Sequence, residues 1–228
     1  MPIGIVTYRV HESAYSPNYD VSQADAQVLD FNDGSTGNPT ATQATAGTAA
    51  LVADLSQPGG ALLLDSVNVT ARQGINAQWK NFGVTPDADK RAEFYCSVTV
   101  LEKVGQLFFG LAVVDTTLIA TDALTNQCIG FTTAAAGTSV LDCVTMNGTD
   151  PAANKKQSVG SAIVINQKYE LGIVVRTSSV EFYLDGSLIA TNKTFIPTAA
   201  MCPTIVCQAA GTTATSMVVH EMVTRKAK

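Results

Sequence analysis

The sequence predicts an all-β chain, an antiparallel sandwich of jelly-roll type preceded by an extended N-terminal arm. Three observations lead there. Apolar residues recur with a period of two from about residue 61 onward, an Asp-Gly pair stands between two such runs, and no long stretch keeps the 3.6-residue apolar spacing of a helix.

The alternation is clearest at 92–100, where Ala92, Phe94, Cys96, Val98 and Val100 share one face and Glu93, Ser97 and Thr99 the other. Successive side chains of a strand point to opposite faces, so this pattern gives one buried and one wetter side. LFFGLAVV (107–114) is a continuous apolar run of strand length. YELGIVVR (169–176) sets Leu171, Ile173 and Val175 on one face, and VEFYL (180–184) turns Val180, Phe182 and Leu184 inward with Glu181 outward. Asp185-Gly186 follows, then SLIAT (187–191). That pair signals a two-residue hairpin, because a type I′ turn needs positive φ at both central positions. Further strands are expected at 62–70, 75–82, 128–132, 139–146, 160–166, 203–209 and 216–224. A dozen or so short strands separated by turn residues make a sandwich or barrel.

The domain boundary is set at residue 60, with a sandwich over 61–228 and an arm over 1–60. The arm is rich in Ala, Thr, Gly, Asn, Asp and Ser, and its segment 34–50 lacks the apolar density to build a core. It carries Tyr8, Tyr15 and Tyr19 at separated positions, with Arg9 beside the first and Phe31 further on. Aromatics spaced along a polar strand are suited to insert into pockets on a partner.

Bulk composition narrows the function. Of 228 residues, 46% are apolar and 14% charged, which excludes disorder throughout and favours extensive burial or large subunit contacts. The net charge of −5 and the lack of a basic stripe argue against nucleic acid, whose binding relies on clustered Lys and Arg. Arg225, Lys226 and Lys228 read as a solvated basic tail. No apolar run is long enough to span a membrane, and the opening residues lack a secretory signal pattern. Cys96, Cys128, Cys143, Cys202 and Cys207 are odd in number and include no CxxC pair, which argues against a disulfide framework and a zinc site. A chain folded in a reducing cytosol is expected, so the N-x-S/T triplets at Asn68, Asn147 and Asn192 carry no weight.

A search for chemistry assigns no catalytic, cofactor-binding or metal-ligating residue. His11 and His220 are the two histidines, and no GxSxG elbow accompanies either. Glycoside cleavage needs two acidic side chains on one strand face; the nearest approach to such an E-x-D-x-x-E pattern is Glu181 with Asp185, and Asp185 belongs to the hairpin turn. Asn147, Asp150 and Asn154 offer oxygens without calcium-loop spacing and read as an exposed loop. Trp79 shares a face with Ile75 and Ala77 and is expected in the core. No phosphate-binding glycine loop is present, no cofactor is expected, and the chain is expected not to be an enzyme.

YELGIVVRTSSVEFYLDGSLIAT resembles the strand–strand–hairpin signature of the concanavalin A-like, laminin G-like jelly rolls, a sandwich that hosts lectins, hydrolases and structural proteins alike. More widely, LFFGLAVVDTTLIA (107–120), CIGFTT (128–133) and the 169–186 hairpin, within residues 92–224, are similar in order and spacing to head-associated proteins of tailed bacteriophages. The resemblance implies a capsid decoration (cement) protein that clamps the outside of a phage head. Its partners would be the major capsid protein and other copies of itself, its location the virion exterior after synthesis in the host cytoplasm. The acidic balance suits that exterior. Tyr8, Arg9, Tyr15, Tyr19 and Phe31 are then the capsid-contact candidates. The alternative is a carbohydrate-binding, lectin-like module of the same fold, carried on a virion and touching host glycans.

Overall fold

The alternating runs become strands of two antiparallel sheets. The computed structural model describes residues 24–30, 39–43, 50–53, 60–66, 73–86, 91–102, 105–120, 123–133, 139–148, 154–209 and 214–227, and none of these is helical. In chain order the strands are β1 (Ala24–Asp30), β2 (Thr40–Gln43), β3 (Ala50–Ala53), β4 (Leu62–Asp65), β5 (Gly74–Gln78), β6 (Arg91–Val100), β7 (Gln106–Ala112), β8 (Ile119–Ala120), β9 (Ala123–Leu124), β10 (Cys128–Thr132), β11 (Val140–Met146), β12 (Asn154–Ala162), β13 (Lys168–Arg176), β14 (Ser179–Leu184), β15 (Ser187–Asn192), β16 (Cys202–Gln208) and β17 (Ser216–Ala227). One sheet has eight strands, ordered β15-β14-β13-β6-β17-β4-β3 with β1 also on β17. The other has seven, ordered β12-β11-β10-β7-β16-β5-β2. The fold is an all-β jelly-roll sandwich.

Side chains from both inner faces make the core. Phe94, Phe109, Phe131 and Phe182 are fully buried in it, and the Phe131 and Phe182 rings meet edge to face at 5.4 Å. Trp79 is 1% exposed within this cluster, beside Ile75 and Ala77. All five cysteines are free and buried. Burial alone pushes the Cys96 thiol far up, and burial with the nearby Asp142 charge raises Cys143 to about 12.

The hairpin forms as expected. Leu184 pairs with Ser187, and Asp185 and Gly186 between them both have positive φ, 47° and 81°. Strand β17 is the longest, and β6 runs along one side of it. Its other side is shared: residues 216–219 pair with β4 and 221–227 with β1. The changeover falls at His220, an extra residue in a bulge between Val219 and Glu221.

The boundary drawn at residue 60 does not coincide with the edge of the sheets. Segments 24–30, 40–43 and 50–53 pair through their backbones with β17, β5 and β4 respectively. They are short, and TATQ (40–43), ALVA (50–53) and ADAQVLD (24–30) give little alternation of large apolar with polar residues to read. Similarly Asn154, read as part of an exposed loop, begins β12, a polar strand at the end of the seven-stranded sheet.

Candidate functional site

Each sheet has an outer face, and the two are finished differently. On the seven-stranded sheet the segment 113–127, with the small hairpin of β8 and β9, lies over the strands. Leu118, Ile119 and Leu124 of this segment pack on Phe108, Ala112, Cys128, Val144, Met146 and Val206 in a second, smaller core. The apolar run at 107–114 has this cause: Leu107, Phe109 and Leu111 face the main core, while Phe108 and Ala112 face the roof. Polar groups on this face bond to the roof's backbone. Asn76 Nδ2 donates to the Asp115 carbonyl at 2.9 Å, Gln78 Nε2 to that of Val113 at 3.1 Å and Gln208 Nε2 to that of Ile119 at 3.2 Å. The Asp115 amide donates to Gln78 Oε1 at 3.0 Å, and the Asp115 carboxylate accepts from the Thr117 amide, Thr125 Oγ1 and Asn126 Nδ2.

The outer face of the eight-stranded sheet concentrates charge and aromatics. Strands β6 and β14 run parallel to each other, both antiparallel to β13 between them, and each carries the triplet Glu-Phe-Tyr. Phe94 and Phe182 point into the core, which leaves Glu93, Tyr95, Glu181 and Tyr183 outward. The register puts Tyr95, Gly172 and Tyr183 in one cross-strand row and Glu93, Val174 and Glu181 in the next. The two glutamates are therefore two strand spacings apart, about 10 Å between their Cα atoms. Arg91 and Arg176 are direct partners beyond them, and Arg225 of β17 pairs with Glu93.

Ion pairs link these rows. The Glu93 carboxylate is gripped from two sides, by Arg91 Nη2 at 2.6 Å and Arg225 Nη2 at 3.0 Å, and its side chain is only 7% exposed. Arg176 binds Glu181 through Nε at 3.0 Å and Nη2 at 3.2 Å, and the Tyr183 hydroxyl donates to the same carboxylate at 3.1 Å. The Arg176 hydrogen bonds hold the Glu181 carboxyl below its ordinary range, while burial first and the Glu181 charge second raise the Tyr183 phenol. A depression of about 10 Å³, room for one water, is lined by Glu93, Tyr95, Gly172, Val174, Val223 and Arg225 among others. This site is a platform, not a cavity.

Several sequence expectations change here. Arg225 and Lys226 are not a solvated tail: Arg225 is 8% exposed on Glu93, and Lys226 Nζ donates to the Gly83 carbonyl at 2.9 Å. A buried counter-charge on another strand makes the difference, and charge spacing along the chain does not reveal it. Strand register brings two carboxylates, Glu93 and Glu181, from distant segments into one cross-strand row, each held in ion pairs with arginine. The repeated Glu-Phe-Tyr triplet was the available signal. His220 bonds the Thr99 hydroxyl through Nε2 at 2.9 Å, and burial first, then Lys168, lowers its pKa. Tyr8, Arg9, Tyr15, Tyr19 and Phe31 lie outside the described residues. Among the described residues no group of three His, Cys, Asp or Glu side chains is placed to hold a metal ion.

Two layered antiparallel sheets with this strand order define the class: a concanavalin A-like jelly roll. No family model and no curated protein matches the sequence. Among solved structures, the chain is similar to a conserved carbohydrate esterase of the Shiga toxin-encoding bacteriophage phi24B, at 14% identity and TM-score 0.55, over 89% of this chain and 100% of that one. It is also similar to a Bacillus licheniformis β-glucanase (14% identity, TM-score 0.58, covering 89% and 98% of the two chains). A third is a Bacteroides ovatus GH16 protein of a mixed-linkage glucan locus, solved with a product (11%, TM-score 0.52, covering 90% and 95%). At such identities the likeness fixes the sandwich alone. The expectation that the chain is not an enzyme does not stand, since an esterase and a glucanase share this fold along nearly their whole length.

Proposed function

We propose that this chain is a glycan-engaging jelly-roll protein carried on a bacteriophage particle, and that it meets its ligand on the outer face of the eight-stranded sheet. The observation that carries this reading is the Tyr95–Gly172–Tyr183 row with Glu93, Glu181 and three arginines beside it. A sugar presents an apolar C–H face and a rim of hydroxyls. Aromatic side chains take the first, and carboxylates and guanidiniums, with many acceptor and donor sites, take the second. Gly172 adds no side chain between the two tyrosines, so the platform stays low there. A shallow platform suits a polymer lying across the strands better than a small molecule, which is usually held in a deep pocket.

The phage setting is supported by the resemblance of residues 92–224 to head-associated proteins and is in keeping with the whole-length match to a phage esterase. The test is titration of the full chain with β-glucan and uronate oligosaccharides, with release of reducing ends followed in the same samples. Tyr95→Ala and Tyr183→Ala should each weaken binding about tenfold, equivalent to roughly 1.4 kcal/mol. Unchanged affinity in both variants overturns the reading.

A second reading keeps the particle and changes the ligand. A low charge content of 14% and a net charge of −5 favour broad protein contact on a capsid exterior, with the major capsid protein and other copies of this chain as partners. Tyr8, Arg9, Tyr15, Tyr19 and Phe31 are its contact candidates. Because parts of 1–60 pair into the sheets, it is tested in the full chain. A Tyr8→Ala, Tyr15→Ala, Tyr19→Ala triple variant should co-sediment poorly with undecorated heads, and equal co-sedimentation removes this reading.

A further inference from the structure

We infer that Asn147 is a self-modifying residue: the backbone nitrogen of Gly148 displaces its side-chain amide, and water then opens the ring to leave aspartate or isoaspartate. Asn147-Gly148 is the one Asn-Gly pair in the chain. It stands directly after β11, which ends at Met146, and Asn147 is exposed. The attack is intramolecular, so its rate depends on how readily the nitrogen reaches the side-chain carbonyl carbon. A side chain on the following residue would crowd that nitrogen, and glycine has none. Gly148 holds φ at 121°, a conformation that residues with a Cβ rarely adopt. Among the described residues, nothing lies within 4 Å of the place a Cβ on Gly148 would take. The bend after β11 thus favours the same glycine that makes the pair reactive, and the space around it is open.

The reaction needs no partner except water. The Gly148 nitrogen forms a bond to Asn147 Cγ, the Cγ–Nδ2 bond breaks, and Nδ2 leaves as ammonia with the proton that the Gly148 amide gives up. A succinimide ring results. Water adding at Cγ gives aspartate; water adding at the Asn147 backbone carbonyl carbon gives isoaspartate, whose main chain runs through the side-chain carbons. Two other exposed asparagines, Asn81 and Asn166, precede Phe82 and Gln167, whose side chains crowd the attacking nitrogen. Asn76 and Asn192 are buried, and their Nδ2 groups donate to the Asp115 carbonyl at 2.9 Å and to Thr145 Oγ1 at 3.3 Å. Asp185-Gly186 has the same glycine, but Asp185 Oδ1 accepts the Glu170 amide at 2.8 Å, and a carboxylate is a poorer electrophile than an amide. Met146 pairs with Asn154, so the new charge and, in isoaspartate, the lengthened main chain enter where β11 passes to the edge strand β12. The change is one-way and independent of what the platform binds.

Peptide mapping by mass spectrometry of the full chain, incubated at neutral and mildly alkaline pH, tests this, with isoaspartate counted by a methyltransferase assay. Asn147 should convert about tenfold faster than Asn81 and Asn166, equivalent to roughly 1.4 kcal/mol in the barrier, and faster still as pH rises. Ammonia should be released in step with the acid formed at 147. Asn147→Gln, whose side chain closes a larger ring far more slowly, should stop the drift toward acidic species on isoelectric focusing, while Asn81→Gln should leave that drift unchanged. Thermal melts check that both variants are folded, and the comparison of sites within the unaltered chain needs neither. Conversion at 147 no faster than at 81 and 166 overturns the inference. So does an amide at 147 that persists in the folded chain under conditions where the urea-unfolded chain loses it.

Discussion

The two outer faces of the sandwich start from the same alternating strands and end with opposite economies of polar groups. On the seven-stranded sheet, Asn76, Gln78 and Gln208 are neutral and donate their amide N–H groups to backbone carbonyls of the chain's own 113–127 segment. On the eight-stranded sheet the outward groups include ionised side chains that pair with one another within β6 and across strands. Backbone partners come with the fold and cannot be exchanged. Side-chain ion pairs at a rim can open toward a new partner, since an exposed pair contributes little stability, about 0–1 kcal/mol. The difference teaches where ligand chemistry can be added to a sandwich without undoing it.

The comparison is most exposed at Glu93. Glu93→Gln leaves Arg91 and Arg225 partly buried without their shared counter-charge, and the expected loss is about 3–5 kcal/mol. Chemical denaturation measures it; a loss below about 1 kcal/mol would show that the ion pairs of this face are all of the weak, exposed kind. Next is the roof. Leu118 is fully buried in the smaller core, so Leu118→Ala should cost about 2–4 kcal/mol and leave glycan titration unchanged. Cys128, which belongs to that core, should then react with a thiol reagent before Cys96, Cys143 and Cys207 in the main core. Simultaneous reaction of all five thiols would mean that the roof and the sandwich open together.

Gly186→Val should cost about 1–3 kcal/mol, because a β-branched residue must then hold φ near 81° although nothing within 4 Å obstructs the added carbon. No loss would mean that the turn relaxes to another type. The smallest effect is expected from His220. Its folded pKa lies below the ordinary value near 6.5, so the unfolded chain binds the extra proton first as pH falls. Stability is full above about pH 6.5 and declines as pH drops toward the folded pKa. His220→Gln should flatten the melting temperature across that window, and an unaltered slope would assign the acid sensitivity to other groups.

The strands legible in the sequence are those in which large apolar residues alternate with polar ones, as at Phe94 and Cys96 against Glu93 and Ser97. Strands β2 and β3 escaped because four residues are too few for a pattern: TATQ has no large apolar residue, and in ALVA the two large ones, Leu51 and Val52, are adjacent instead of alternating. The platform was half legible. Glu181 and Tyr183 sit outward on an obvious strand, but their meeting with Glu93 and Tyr95 depends on β13 pairing with both neighbours. That is register information, which no local window contains.

The position of β17 bears on how the protein is made. Until residues 216–227 have left the ribosome, β6 has a hydrogen-bonding partner on one side only, and β1 and β4 lack the strand on which they close. The eight-stranded sheet cannot therefore assemble progressively during synthesis. Such late, non-local pairing slows folding and leaves apolar strand edges open to other chains in the interval. Newly made chains should depend on holding chaperones until β17 emerges, and deletion of residues 217–227 should yield aggregates instead of a smaller sandwich.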